Sequence, residues 1–161
     1  HGHHGNAILS EVPFKFWHNV DVSTFNYSQR GFLHGITATD VHLICVHFGL
    51  FENERRQQAS KLVNYVKEKV PHQAPVILAG DFNDWRKSID KLLSKELGLN
   101  EAHRQVNKKI ASTYPSFRPI LAMDRIYQRG FQVRNCSVMR NREWRRLSDH
   151  CAMMAELRLR H

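Results

Sequence analysis

The run Val41-His42-Leu43-Ile44-Cys45-Val46 constrains the fold most, because its apolar side chains are nearly continuous rather than alternating. A strand of this kind has no face to offer water, so it belongs inside a layered sheet, buried on both sides. It closes a strand predicted over residues 35–48, and residues 6–10 read as another. A shorter run, Val76-Ile77-Leu78-Ala79, is closed by Gly80 and reads as a central strand. The polar residues that follow it emerge where sites are built in sheet proteins with crossover helices.

Over residues 52–70, Ala59, Leu62, Val63, Val66 and Val70 follow a helical repeat with charges between them, and Pro71 ends it. Ile89, Leu92, Leu93 and Leu97 predict a shorter helix closed by Gly98. Further strands are predicted over residues 122–127, 130–138 and 151–158. No repeat or low-complexity linker divides the 161 residues, so residues 1–161 read as one α+β domain. A chain of that length buries about two thirds of its unfolded surface without a disulfide or metal staple. With 42% apolar and 24% charged residues it is neither disordered nor, lacking a long apolar run, membrane-spanning.

A formal charge of +9 attracts phosphate-rich partners, nucleic acid or anionic lipid headgroups. The excess is concentrated: residues 125–146 carry seven arginines (125, 129, 134, 140, 142, 145 and 146) against Glu143 alone. Cys45, Cys136 and Cys151, widely spaced and each in or beside an apolar stretch, predict reduced thiols and hence an intracellular, cytoplasmic protein. His1, His3 and His4 lie in a Gly-rich terminal tract that reads as a flexible end rather than a metal site.

The candidate chemistry begins at Gly80-Asp81-Phe82-Asn83. Alternation along an extended backbone would point Asp81 and Asn83 to one side and Phe82 into the core. A carboxylate then orients or deprotonates a water while a neutral amide donates to an anionic oxygen, although an ordinary turn uses the same residues. Ser148-Asp149-His150 offers a hard oxygen for a divalent cation beside an imidazole. Asp124, enclosed by Leu121, Ala122, Met123 and Ile126, is a partly buried acid that needs a donor. His150 would meet that need and be oriented in return; Arg125 is the alternative partner. His47, ending the first apolar run, is either a phosphoryl-oxygen donor or a core histidine. There is no Gly-x-Ser-x-Gly, Walker loop or dinucleotide fingerprint.

From residue 5 onward, the ordered set Gly5-Asn6-Ala7-Ile8-Leu9-Ser10, Val46-His47-Phe48, Arg55 to Gln58, Gly80-Asp81-Phe82-Asn83, Thr113-Tyr114-Pro115, Met123-Asp124-Arg125-Ile126 and Ser148-Asp149-His150 resembles the endonuclease/exonuclease/phosphatase superfamily. The resemblance implies a four-layer α/β/β/α sandwich of the DNase I-like kind. It implies that Asp81 and Asn83 place the water and the scissile phosphate, that Asp149 binds the cation, and that His47 and the Asp124-paired His150 hold phosphate oxygens. Asn6, Arg30 and Tyr114 are expected at the substrate. Family members carry an Asn and a metal-binding Glu on strands upstream of Gly5-Asn6-Ala7, and Glu11 follows that element rather than preceding it. The N-terminal strands are therefore expected to be missing, leaving an apolar edge and face for a second copy or a cleaved segment to cover.

The expectation is a Mg²⁺- or Mn²⁺-dependent phosphoric ester hydrolase, a phosphodiesterase or nuclease, in which activated water attacks in line. Nucleic acid is the first substrate choice, with Tyr114, Trp85 and Trp144 available for stacking. A phospholipid or inositol-phosphate headgroup hydrolase and a noncatalytic phosphate-binding module are the alternatives.

Overall fold

The computed structural model describes residues 5–25 and 29–160, so the histidine tract at residues 1–4 lies outside the described residues. A six-stranded sheet has the order β1 (Phe14–Asp21), β2 (Gly31–Thr37), β3 (His42–His47), β4 (Val76–Asp81), β6 (Asp124–Arg129), β5 (Asn100–Glu101). Among the described strands only β3 and β4 run parallel, and α1 (Glu52–Lys69) is the crossover that a parallel pair requires. α2 (Ser88–Leu97) follows β4, and Gly98 ends it in the left-handed conformation, as the sequence predicts.

α1 and α2 cover one face of the sheet. Ala59, Leu62, Val63 and Val66 from α1 and Ile89, Leu93 and Leu97 from α2 form a single core with Phe32, Ile44, Val46, Val76, Leu78 and Tyr127. A two-stranded sheet, β7 (Phe131–Val138) with β8 (Met153–Leu159), forms the next layer. β8 lies against β6, and the short α3 (Ala102–Asn107) packs on β7 and β6. Helices, large sheet and second sheet make the α+β sandwich expected from the sequence. No described helix is long and apolar enough to cross a membrane.

Four expectations are corrected. Residues 6–10 are not a strand. Instead the Asn6 amide donates to the Gly31 carbonyl at 2.7 Å, and the first strand is β1, an exposed edge whose side chains carry no burial rhythm. The strand predicted over residues 35–48 is two strands. Asp40 at φ 63° and the Thr37 hydroxyl, which accepts from the Val41 N–H at 3.1 Å, turn the chain into a β2–β3 hairpin. β3 is buried on one side only: His42, Ile44 and Val46 are buried, Leu43 and Cys45 half-buried, because nothing among the described residues fully covers that face. Two short helices, α3 and α4 (Arg142–Leu147), were not foreseen, since one turn and a half is too short to show a period. All three cysteines are free thiols.

Candidate active site

Strand register builds the site. The β3–β4 pairing sets His47 opposite Asp81, and the β4–β6 pairing sets Asp81 opposite Asp124. Directly opposed residues share a face, so three strand ends deliver one imidazole and two carboxylates as a row. Gly80, at φ 141°, lets β3 and β4 approach just before that row; a Cβ there would sit 2.0 Å from the Val46 carbonyl oxygen.

His150 joins the row from the loop preceding β8. The Ser116 N–H donates to the Asp149 carbonyl at 2.6 Å, and the Cys151 N–H to the Thr113 carbonyl at 2.8 Å. The Thr113 hydroxyl accepts from the Asp124 N–H at 3.1 Å, so one loop holds both partners. His150 Nδ1 then lies 2.8 Å from Asp124 Oδ2, and the Tyr114 ring packs 4.8 Å from the imidazole. Asp81, Asp124 and His150 each offer a ligand atom within 4.8 Å of the others.

The electrostatics follow from this crowding. Burial pushes the Asp81 carboxyl up, Asp124 reinforces the shift, and the Asn83 N–H opposes it. Burial works against a charged His150, but the Asp124 hydrogen bond and the charges of Asp124, Asp81 and Asp149 outweigh it, so this imidazole stays protonated to higher pH than usual. His47 moves the other way, lowered by burial and then by Arg30, against the pull of Asp81 at 3.6 Å.

Asn83 reaches the site by a different route from the one the sequence suggests. β4 ends at Asp81, and Asn83 sits at φ 50°, so strand alternation does not aim it. Its N–H donates to Asp81 Oδ1 at 2.8 Å, while its buried side-chain amide donates to the Phe48 carbonyl at 2.8 Å. It fixes the carboxylate and ties the loop after β3 to the loop after β4. Phe82 does turn into the core.

The other predicted residues are placed as follows. Asn6 is tied to Gly31 and receives the Cys45 thiol at 3.8 Å, so both polar atoms of its side chain are engaged by β2 and β3. Half-buried Arg30 acts on His47 through its charge, and its Nε has no hydrogen-bond partner among the described residues. Asp149 is exposed beside His150, outside the group of three. Trp85 lies under the Arg55 guanidinium at 4.9 Å.

The basic stretch is smaller at the surface than in sequence. Arg125 is buried, 3.1 Å from the Asp84 carboxylate, with both side chains at 0% exposure. It also donates to the Ala122 carbonyl at 3.2 Å and the Tyr127 hydroxyl at 3.2 Å. Alternation along β6 turns it away from Asp124, which excludes it as that acid's partner. Arg129 donates to the carbonyls of Ala74, Leu97 and Pro71. The other five arginines are exposed.

One support was missed, and a second was named only through the resemblance. Asp84 accepts from the Ser88 and Ile89 N–H groups, each at 3.0 Å, and so caps α2 as well as pairing with Arg125. Gln58 accepts from the Gly49 N–H at 2.8 Å, and Arg55 donates to the Leu50 carbonyl, which fixes the loop after His47. A lone Asp or Arg in sequence carries no signal of burial; Arg55 to Gln58 were legible only as part of the resemblance.

The model of the Endonuclease/Exonuclease/phosphatase family matches residues 1–150. The chain belongs to this family. It is 39% identical over 163 residues to the Uncharacterized protein YbhP of Escherichia coli strain K12, a match covering 98% of this chain and 64% of that protein. The chain thus spans about two thirds of the length of that curated relative. Its fold matches a humanized D. rerio TDP2 with a TM-score of 0.74 at 18% identity, over 91% of this chain and 68% of the other. It also matches a mannosyl-6-phosphatase of Bacteroides thetaiotaomicron VPI-5482 with a TM-score of 0.72 at 18% identity, over 91% and 67%. These likenesses fix the fold as DNase I-like.

Proposed function

We propose that this chain is the catalytic part of a divalent-metal-dependent phosphodiester hydrolase. The observation that carries the reading is the cross-strand row His47, Asp81, Asp124, completed by His150 at 2.8 Å from Asp124.

With its Oδ1 held by the Asn83 N–H, Asp81 keeps Oδ2 for a water, whose proton a carboxylate of raised basicity accepts well. Asp124 occupies Nδ1 of His150, which leaves Nε2 to meet a phosphoryl oxygen as a donor. His47 and Arg30 supply further donors on the other side of Asp81.

Two carboxylates opposed in register repel each other, and they fit a hard cation such as Mg²⁺ or Mn²⁺. Asp124, through the oxygen that His150 leaves free, and Asp149 would hold it beside Asp81, while His150, with Nδ1 on Asp124 and Nε2 turned to the phosphate, would not ligate it. When bound, the cation supplies positive charge against the charge that builds on the phosphate.

The test is hydrolysis of bis(p-nitrophenyl) phosphate with and without Mg²⁺ or Mn²⁺. Turnover that needs the cation and is lost in Asp81→Ala is expected. Equal rates in that variant, or a chain that binds phosphate without turnover, would overturn the reading and leave a binding module.

A further inference from the structure

We propose that the rim of this site docks on an anionic phospholipid surface, so that the phosphoester it takes is carried by a lipid. The inference rests on the hydrolase reading for its substrate, but the docking itself is separately measurable.

Four segments border the site of His47, Asp81, Asp124 and His150, and each exposes large apolar side chains. After His47 comes Leu50, 58% exposed, and after Asn83 comes Trp85, 39% exposed, held close by Arg55, which hydrogen-bonds the Leu50 carbonyl and covers the Trp85 ring. The loop that follows Tyr114 exposes Phe117 at 74% and Ile120 at 66%. α4 exposes Leu147 at 76% and Trp144 at 39%, and none of its residues is buried. The last two segments flank the catalytic loop: Ser116 is bonded to Asp149, Arg140 donates to the Ser112 carbonyl at 3.4 Å, and Trp144 and Leu147 line a cavity of about 370 Å³ with Asp124 and His150.

The loop after Tyr114 and the α4 segment are also cationic. Arg118 lies between Phe117 and Ile120, and Arg140, Arg142, Arg145 and Arg146 surround Trp144 and Leu147, all exposed, with Glu143 and Asp149 the exposed acids among them. Arginines whose stems lie along apolar neighbours while their heads reach phosphate suit a lipid interface. Anionic headgroups complement that charge, and each arginine near the surface adds to the attraction. Nucleic acid complements the charge equally and offers bases to stack on Trp85, Phe117 and Trp144, but nothing to cover the aliphatic side chains. Leu50, Ile120 and Leu147 have no π face to stack on a base and no donor for a phosphate, whereas an acyl boundary removes them from water.

The experiment is cosedimentation of the chain with vesicles of phosphatidylcholine and of equal parts phosphatidylcholine and phosphatidylglycerol, beside binding to a single-stranded oligonucleotide at the same ionic strength. Sedimentation with the anionic vesicles, weakened about tenfold or more in Phe117→Asp/Ile120→Asp and separately in Arg142→Glu/Arg145→Glu, is expected. The apolar variant should turn over a soluble chromogenic phosphodiester as the parent does. Asp81→Asn should lose turnover yet keep vesicle binding, so a failed hydrolase reading is told apart from a failed docking surface. Absence of vesicle binding at low salt, or oligonucleotide binding that alone depends on Phe117 and Ile120, would overturn the proposal.

Discussion

Asp124 and Arg125 are neighbours on β6 and have opposite fates. Asp124 opens to the site and pairs with His150, both side chains about a quarter exposed, whereas Arg125 is sealed against Asp84 at zero exposure. One pair sits where water and ligand can reach it; the other welds the loop after β4 to β6 and caps α2. The difference teaches that charge in a sequence does not declare its purpose. The face of the strand does, because alternate residues meet solvent and core.

The comparison can be broken from either side. The largest expected effect is on the open side: Asp81→Ala lowers kcat by about 10³-fold at near-parental stability, measured by diester turnover and urea unfolding. On the sealed side, Asp84→Ala strands a buried guanidinium and is expected to cost about 3–5 kcal/mol in unfolding free energy. Adding Arg125→Met should recover most of that loss, since no unpaired charge then remains. If Asp84→Ala proves as mild as a surface substitution, the distinction between the two pairs collapses.

Asp124→Asn is expected to leave stability within about 1 kcal/mol, as befits a partly exposed pair. It should nevertheless lower turnover about 100-fold. The imidazole titration of His150, followed by NMR, should drop, because the partner that raises it is gone.

A buried imidazole pair sharpens the contrast at the smallest scale. His34 bonds Tyr65 at 3.0 Å and His42 at 2.9 Å, and burial, then the charge of His42, lowers it from the ordinary 6.5 to about 4. Below 6.5 the unfolded chain binds a proton that the folded one refuses, so this group's contribution is complete above 6.5 and is lost as pH falls toward about 4. His150, with its raised value, contributes in the opposite sense: its stabilisation is complete below 6.5 and is lost as pH rises through the folded value. Urea midpoints at descending pH should fall in the parent and fall less in His34→Gln.

Much of this was readable in the residues themselves. The repeat ending at Pro71, the stop at Gly98, the strand closed by Gly80 and the need of Asp124 for an imidazole all express local chemistry. The ordered motifs identified the family, whose model matches residues 1–150. The hairpin at Asp40 was not legible, since a non-glycine residue at positive φ gives little warning. Nor was the half-covered face of β3, because a strand records how apolar it is and not what lies over it.

Sequence alone determined the local elements and the kinds of groups that end them, because periodicity, breakers and side-chain chemistry act over a few residues. Only the tertiary structure decided that His47, Asp81 and Asp124 stand in one row and that Arg125 turns inward. Register between distant strands sets both, and a shift of one residue would send every side chain to the opposite face.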